Sequence, residues 1–153
     1  MVLYDDQDTG LWNEELINNG TFYLNQASKG NKLSKFHLEA AIAYWHTQKN
    51  DSPEKWENIL QLYNKLLQIE YSPIAALNRT YALAKANGIG EAIIEAEKLN
   101  LADNHLYHSL LGNLYTNLDM VKARQHFQTA FNLAKSIGDK AAITKNINRL
   151  TIP

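Results

Sequence analysis

Apolar side chains recur along this chain every three or four residues. Trp56, Ile59, Leu60, Tyr63, Leu66 and Leu67 form one stripe. Leu106, Leu110, Leu111, Leu114, Tyr115 and Leu118 form a second, and Ala123, Phe127, Ala130, Phe131 and Ala134 a third. That spacing places each set on one face of an α-helix. No stretch alternates apolar and polar residues for long enough to make a strand. The pattern predicts about eight helices, over 9–27, 34–48, 53–69, 73–87, 90–99, 105–117, 119–136 and 140–150. The second contains Ala40-Ala41-Ile42-Ala43-Tyr44-Trp45, apolar all round, and is expected to lie buried between neighbours.

The joints are marked by proline and glycine. Ser52-Pro53 and Ser72-Pro73 both read as helix starts. Serine can accept from the free N–H groups of a first turn, and proline fits the first helical position, where a missing N–H costs nothing. Asp8 and Asp139 are expected caps by the same logic. Gly30, Gly88 with Gly90, and Gly138 read as breaks. The three tryptophans, Trp12, Trp45 and Trp56, read as core anchors.

The repeat pattern gives the helices an architecture. In the second helix of a tetratricopeptide unit a small residue is followed four later by a large one and seven later by another small one. Ala123-Phe127-Ala130 matches this well, whereas Ala92-Ala96-Leu99, Ile59-Tyr63-Leu66 and Gly20-Leu24-Ala27 keep the spacing with looser chemistry. Their starts lie 39, 33 and 31 residues apart, around a period of about 34. Leu111-Gly112 with Tyr115 three beyond the glycine fits a first helix. The extra length in the first interval falls at Gln48-Lys49-Asn50-Asp51-Ser52, read as a longer loop. The expected fold is an all-α, tetratricopeptide-like superhelix of stacked antiparallel hairpins, forming a single domain over 1–153. Such repeats contact only their neighbours and build a concave face suited to holding a peptide or helix.

Composition narrows the function classes. The 153 residues can bury roughly two-thirds of the surface that the unfolded chain exposes. There is no cysteine, so disulfides, thiolate zinc sites and thiol nucleophiles are excluded. A reducing, cytoplasmic location fits. No apolar run is long enough to span a membrane, and the acidic start Met1-Val2-Leu3-Tyr4-Asp5-Asp6 is not read as a signal peptide. Net charge is −1, which argues against general nucleic-acid affinity. Its distribution is uneven: residues 1–28 carry five acids and no base, and residues 121–153 carry six bases and one acid. Solvated faces of terminal helices explain this simply, with a partner-steering surface as the alternative.

Catalytic signatures are absent. The chain has no phosphate-binding glycine loop, no Gly-x-Ser-x-Gly turn and no His-Glu-x-x-His. His105 and His108 could share a helix face, but no third metal ligand is placed. His37 and His46 read as core or groove histidines. Asp5-Asp6-Gln7-Asp8 reads as a helix-start cluster rather than a magnesium site. Arg79 is expected either to clamp a repeat interface or to contact a partner. Lys140, Lys145 and Arg149 could line one face of the last helix without the interleaved aromatics of a nucleic-acid surface. No catalytic residue, cofactor or metal is expected. An enzyme acting through the histidines or the Asp5–Asp8 cluster is the reading of a different class.

Four segments resemble, in order, a group of extracytoplasmic-function RNA polymerase sigma factors with a long helical C-terminal extension. Asp6-Gln7-Asp8-Thr9-Gly10-Leu11-Trp12-Asn13 is similar to their "DQDRSxWD". Phe36 to Ala43 looks like "YxLQAAIA", with His46 matching the histidine three residues beyond. Trp56 to Tyr63 resembles "WxxIxxLY", and Ser72 to Arg79 with Thr80 resembles "SPxxxLNRA". The likeness covers about residues 5–87, and the repeats extend it to about 150. Asn13, Glu39 and Thr80 depart from the aspartate, glutamine and alanine of the pattern.

The resemblance implies a regulatory protein-interaction domain in transcription initiation. Its partners would be sigma domains, core polymerase or a regulator. The domains that read a promoter are not in this chain, so no direct DNA binding is expected of it. A stand-alone scaffold unrelated to transcription is the alternative. Since first-helix faces usually line the groove, the partner is expected near His37, Tyr44, Asn78, Arg79 and His108.

Overall fold

A computed structural model of the chain describes residues 7–27, 29 and 34–150. Among them are eight α-helices and no strand. They are α1 (Glu14–Ala27), α2 (Lys35–Thr47), α3 (Pro53–Ile69), α4 (Pro73–Asn87), α5 (Ile89–Lys98), α6 (His105–Tyr115), α7 (Met120–Leu133) and α8 (Ile137–Arg149). A 3-10 turn, Thr9–Leu11, precedes α1. The fold is all-α, and helices pack on their sequence neighbours as in a helical-repeat stack. The described residues fall into two compact units, 7–87 and 88–150.

In the unit 7–87, α1 packs on α2, α2 on α3 and α3 on α4. The Ser52 hydroxyl accepts from the Lys55 N–H, with Pro53 at the first helical position of α3. Ser72 does the same for α4, accepting from Ala75 at 3.5 Å. The expected first helix begins later than its pattern suggested. Asp8 caps the 3-10 turn by accepting from Gly10, and the Asn13 carboxamide accepts from Leu16 at the start of α1. Asn13 thus performs the capping that an aspartate would. Gly30, Asp5 and Asp6 lie outside the described residues.

The core of this unit centres on Trp56, which is 1% exposed, with Ile59, Leu60, Leu38 and Ala82 also buried. Trp12 and Trp45 are only half-buried, so one of the three expected anchors sits fully in the core. The second helix also departs from expectation. Only Leu38 and Ile42 of α2 are buried, and Ala43 is exposed. Its small residues leave one side open rather than filling an interface.

In the unit 88–150, α5 packs on α6, α6 on α7 and α7 on α8. Ala92, Ala96, Ala123 and Ala130 have no exposed surface, and Phe127 has 1%. The small–large–small pattern is used literally here. A Cβ on Gly112 of α6 would lie 2.8 Å from the Phe127 ring of α7, inside contact distance. Only glycine lets those two helices approach so closely.

Two expected breaks fall inside helices. Gly90 lies in the first turn of α5, while Gly88, at φ 105°, supplies the break before it. Gly138 lies in the first turn of α8. Ser136, not Asp139, caps that helix by accepting from the Asp139 N–H. Asp139 instead accepts a hydrogen bond from the Ser136 hydroxyl at 2.6 Å.

Candidate functional site

A recess in the unit 7–87 lies between α2 and α4, with α3 beneath. Its volume is about 370 Å³. Four residues of α2 at helical spacing form one wall: Lys35, Glu39, Ala43 and His46. Tyr63 and Leu66 of α3 form the floor, and Ile74, Ala75 and Asn78 of α4 the other wall. Glu70 and Ser72, from the short α3–α4 link, close one end. The groove is mostly apolar at its base and polar at its rim, the usual composition of a site that orients a ligand through a few polar groups.

Its polar groups have defined states. Lys35 Nζ bridges to Glu70 at 2.7 Å. That hydrogen bond and charge raise the ammonium's pKa, so the cation persists. Burial, reinforced by the Lys55 charge, lowers the pKa of His46, so its imidazole is neutral near pH 7. Its ring meets Trp56 edge-on at 5.8 Å. Burial raises the pKa of Tyr63 against the opposing hydrogen bond from Asn78. None of these groups is arranged as a nucleophile beside its base.

Behind the groove, a polar cluster fixes the α2–α3 loop. Lys55 is 1% exposed, yet its Nζ donates to the Gln48 carbonyl at 2.5 Å. A buried cation is tolerated only with such partners. Asp51 accepts from the Trp56 indole N–H and from Lys85 Nζ, the latter at 3.0 Å. Burial opposes the Asp51 charge, but these two donors outweigh it and hold the carboxyl below its ordinary pKa. Lys55 and Lys85 both lie over the Trp56 ring, at 5.5 and 5.4 Å. Tyr81 meets the same ring edge-on at 5.4 Å.

The unit 88–150 holds a histidine network. His108 Nε2 is 2.8 Å from the Ala102 carbonyl, which can only accept, so Nε2 carries the proton. In the neutral ring Nδ1 is then the acceptor, and His126 Nδ1–H, 3.0 Å away, donates to it. The His126 ring stacks on Tyr115 with centroids 5.8 Å apart and planes 5° from parallel. Burial, then the neighbouring His108, lowers the His126 pKa. The Tyr115 hydroxyl donates to Glu97 at 2.7 Å, which pushes its pKa to about 12.

His105 and His108 do not act as a pair. His105 turns to Asp139 of α8 at 3.6 Å, and His108 turns to His126 of α7. Among the described residues no group of three or more histidines or carboxylates could hold a metal ion.

Of the five residues singled out for a partner, Asn78 lines the groove. His37 is half-buried and completes a capping box at the start of α2: its Nδ1 accepts from the Ser34 N–H and meets the Ser34 hydroxyl at 2.7 Å. Tyr44 lies half-buried on α2, edge-on to Trp45. Arg79 Nε donates to Asn64 at 2.6 Å, joining α4 to α3, which is the clamp geometry. His108 belongs to the other unit. Lys35, Glu39, Tyr63 and Glu70 were not anticipated in the groove, and His46 was anticipated only as one of two core or groove histidines. The signal for the wall was present, because positions 35, 39, 43 and 46 share one face of a helix.

No helix among the described residues is long and apolar enough to cross a membrane. No family model matches the chain. It is 32% identical over 155 residues to an uncharacterized protein of Rhizobium meliloti (strain 1021). The match covers 98% of this chain and 36% of that protein, so the chain spans little more than a third of its relative's length.

Proposed function

We propose that this chain is a regulatory protein-interaction domain that holds a segment of a partner protein in the groove between α2 and α4. The observation that carries this reading is the groove itself. It is open, apolar at the base and lined by polar groups with no catalytic pairing. Helical-repeat stacks use such faces to hold peptides or helices.

The finer assignment, a regulatory extension of an extracytoplasmic-function sigma factor, rests on the four ordered segments between Asp6 and Thr80. Several of their residues have structural roles that a shared fold would require. Trp56 fills the core, Ser72 caps α4, and Arg79 ties α4 to α3. In this reading the domain acts inside the cytoplasm, on sigma domains, core polymerase or a regulator, without touching DNA. Purified chain should retain the isolated domains of such a sigma factor, or core polymerase subunits, in a pull-down. Retention of neither removes the transcriptional assignment and leaves the alternative, a scaffold unrelated to transcription.

A further inference from the structure

We propose that the α2–α4 groove selects a peptide segment bearing a basic side chain beside apolar ones, and that Glu39 is the residue that pairs with the cation. This rests on the reading of the groove as the partner site and adds the chemistry of what it holds.

The argument is one of charge. Three ionised side chains line the groove: Lys35, Glu39 and Glu70. Lys35 is bonded to Glu70 at 2.7 Å and feels the Glu39 charge more weakly, without an ion pair to it. His46 adds no positive charge near pH 7, because burial keeps its ring neutral. The groove therefore offers one carboxylate, Glu39, in excess over its cations. Glu39 is exposed on the open side of α2. An acidic segment would face this carboxylate with no uncommitted ammonium in the lining to receive it. A lysine or arginine would find a partner, and arginine could bind both carboxylate oxygens.

The apolar half of the specificity comes from the base. Ile42, Leu66 and Ala75 are buried or half-buried beneath the opening, and Ile74 stands 51% exposed at its edge. Apolar side chains flanking the cation would cover this surface.

Selection of displayed random linear peptides on the full chain tests this. Enriched sequences should carry Lys or Arg next to apolar residues. A synthetic peptide of the enriched sequence should bind about tenfold more weakly to Glu39→Gln, the loss expected for a charge-assisted hydrogen bond. Glu39→Lys should abolish binding, and both variants should melt as the parent does, because Glu39 is exposed. Binding to the parent should also weaken with added salt. Enrichment of acidic or uncharged peptides, unchanged affinity in Glu39→Gln, or no enrichment at all would overturn the proposal. Ala43→Trp, which fills the groove from an exposed position, separates the two levels. If it blocks binding while Glu39→Gln does not, the groove reading stands and the charge assignment falls. If peptides bind Ala43→Trp as they bind the parent, the groove reading falls as well.

Discussion

The hairpins α3–α4 and α6–α7 have the same architecture and are held together by different chemistry. In α6–α7 the contact is small against large: Gly112 lies directly under the Phe127 ring, and Ala123 and Ala130 leave no exposed surface. In α3–α4 the centre is Trp56, surrounded by Lys55, Lys85, Asp51 and Tyr81. The first solution depends on the absence of side-chain atoms. The second depends on an aromatic ring whose polar neighbours satisfy one another. A repeat pattern defined by small and large residues therefore finds the first hairpin easily and the second with difficulty.

The largest expected effects come from removing each hairpin's central ring. Phe127→Ala and Trp56→Ala should each destabilise by about 3–5 kcal/mol, measured by denaturant unfolding. Substitution at the glycine then separates the two designs. Gly112→Ala drives a methyl into the Phe127 ring and should cost about 1–3 kcal/mol. Gly20→Ala, in the middle of α1 with nothing within 4 Å of the added atom, should stabilise by about 0.5–1 kcal/mol. Equal effects at the two glycines would show that close approach in α6–α7 is unimportant.

The polar cluster of α3–α4 is broken at Lys55. Lys55→Met keeps the buried stem but strips the Gln48 carbonyl of its donor. A loss of about 1–3 kcal/mol is expected, with faster hydrogen exchange in the 48–52 loop. A neutral result would mean that the stem, not the ammonium, holds the loop.

Acid should weaken both units through their half-buried histidines. Burial places the folded-state pKa values of His46 and His126 below the ordinary value of 6.5. The unfolded chain then binds more protons in that range. The stability these neutral rings contribute is present above about pH 6.5 and declines as pH falls below it. His46→Gln with His126→Gln should flatten the melting temperature between pH 7 and pH 5 relative to the parent. Unchanged pH dependence in the double variant would assign the acid sensitivity elsewhere.

The legible parts of this molecule were those written in local chemistry. Helix spacing and the Ser-Pro pairs located α3 and α4 to the residue at both starts. Ala123-Phe127-Ala130 and Leu111-Gly112 marked α7 and α6 as a repeat pair, while the contact of Gly112 with Phe127 is seen only in the structure. The starts of α1 and α8 were misplaced, because several residues near each could cap: Asp8 and Asn13 for one, Ser136 and Asp139 for the other. Spacing alone does not rank them. The repeat match at Gly20-Leu24-Ala27 kept its period, but Gly20 meets nothing within 4 Å, so periodicity there does not mean close packing. The groove was the least legible feature. An all-apolar α2 argued for burial, and only packing shows that Ala43 is left open. Arg79 reads in sequence as either a clamp or a partner contact and His37 as a core or groove histidine; in the fold each bonds a neighbour, Asn64 and Ser34.

The most direct test of the account is amide hydrogen exchange of the whole chain, alone and with the purified domains of an extracytoplasmic-function sigma factor. Occupation of the groove predicts slowed exchange in residues 35–46 and 72–79, lost when Ala43 is replaced by tryptophan. Protection confined to α6 and α7, or equal protection in the Ala43→Trp variant, would contradict it.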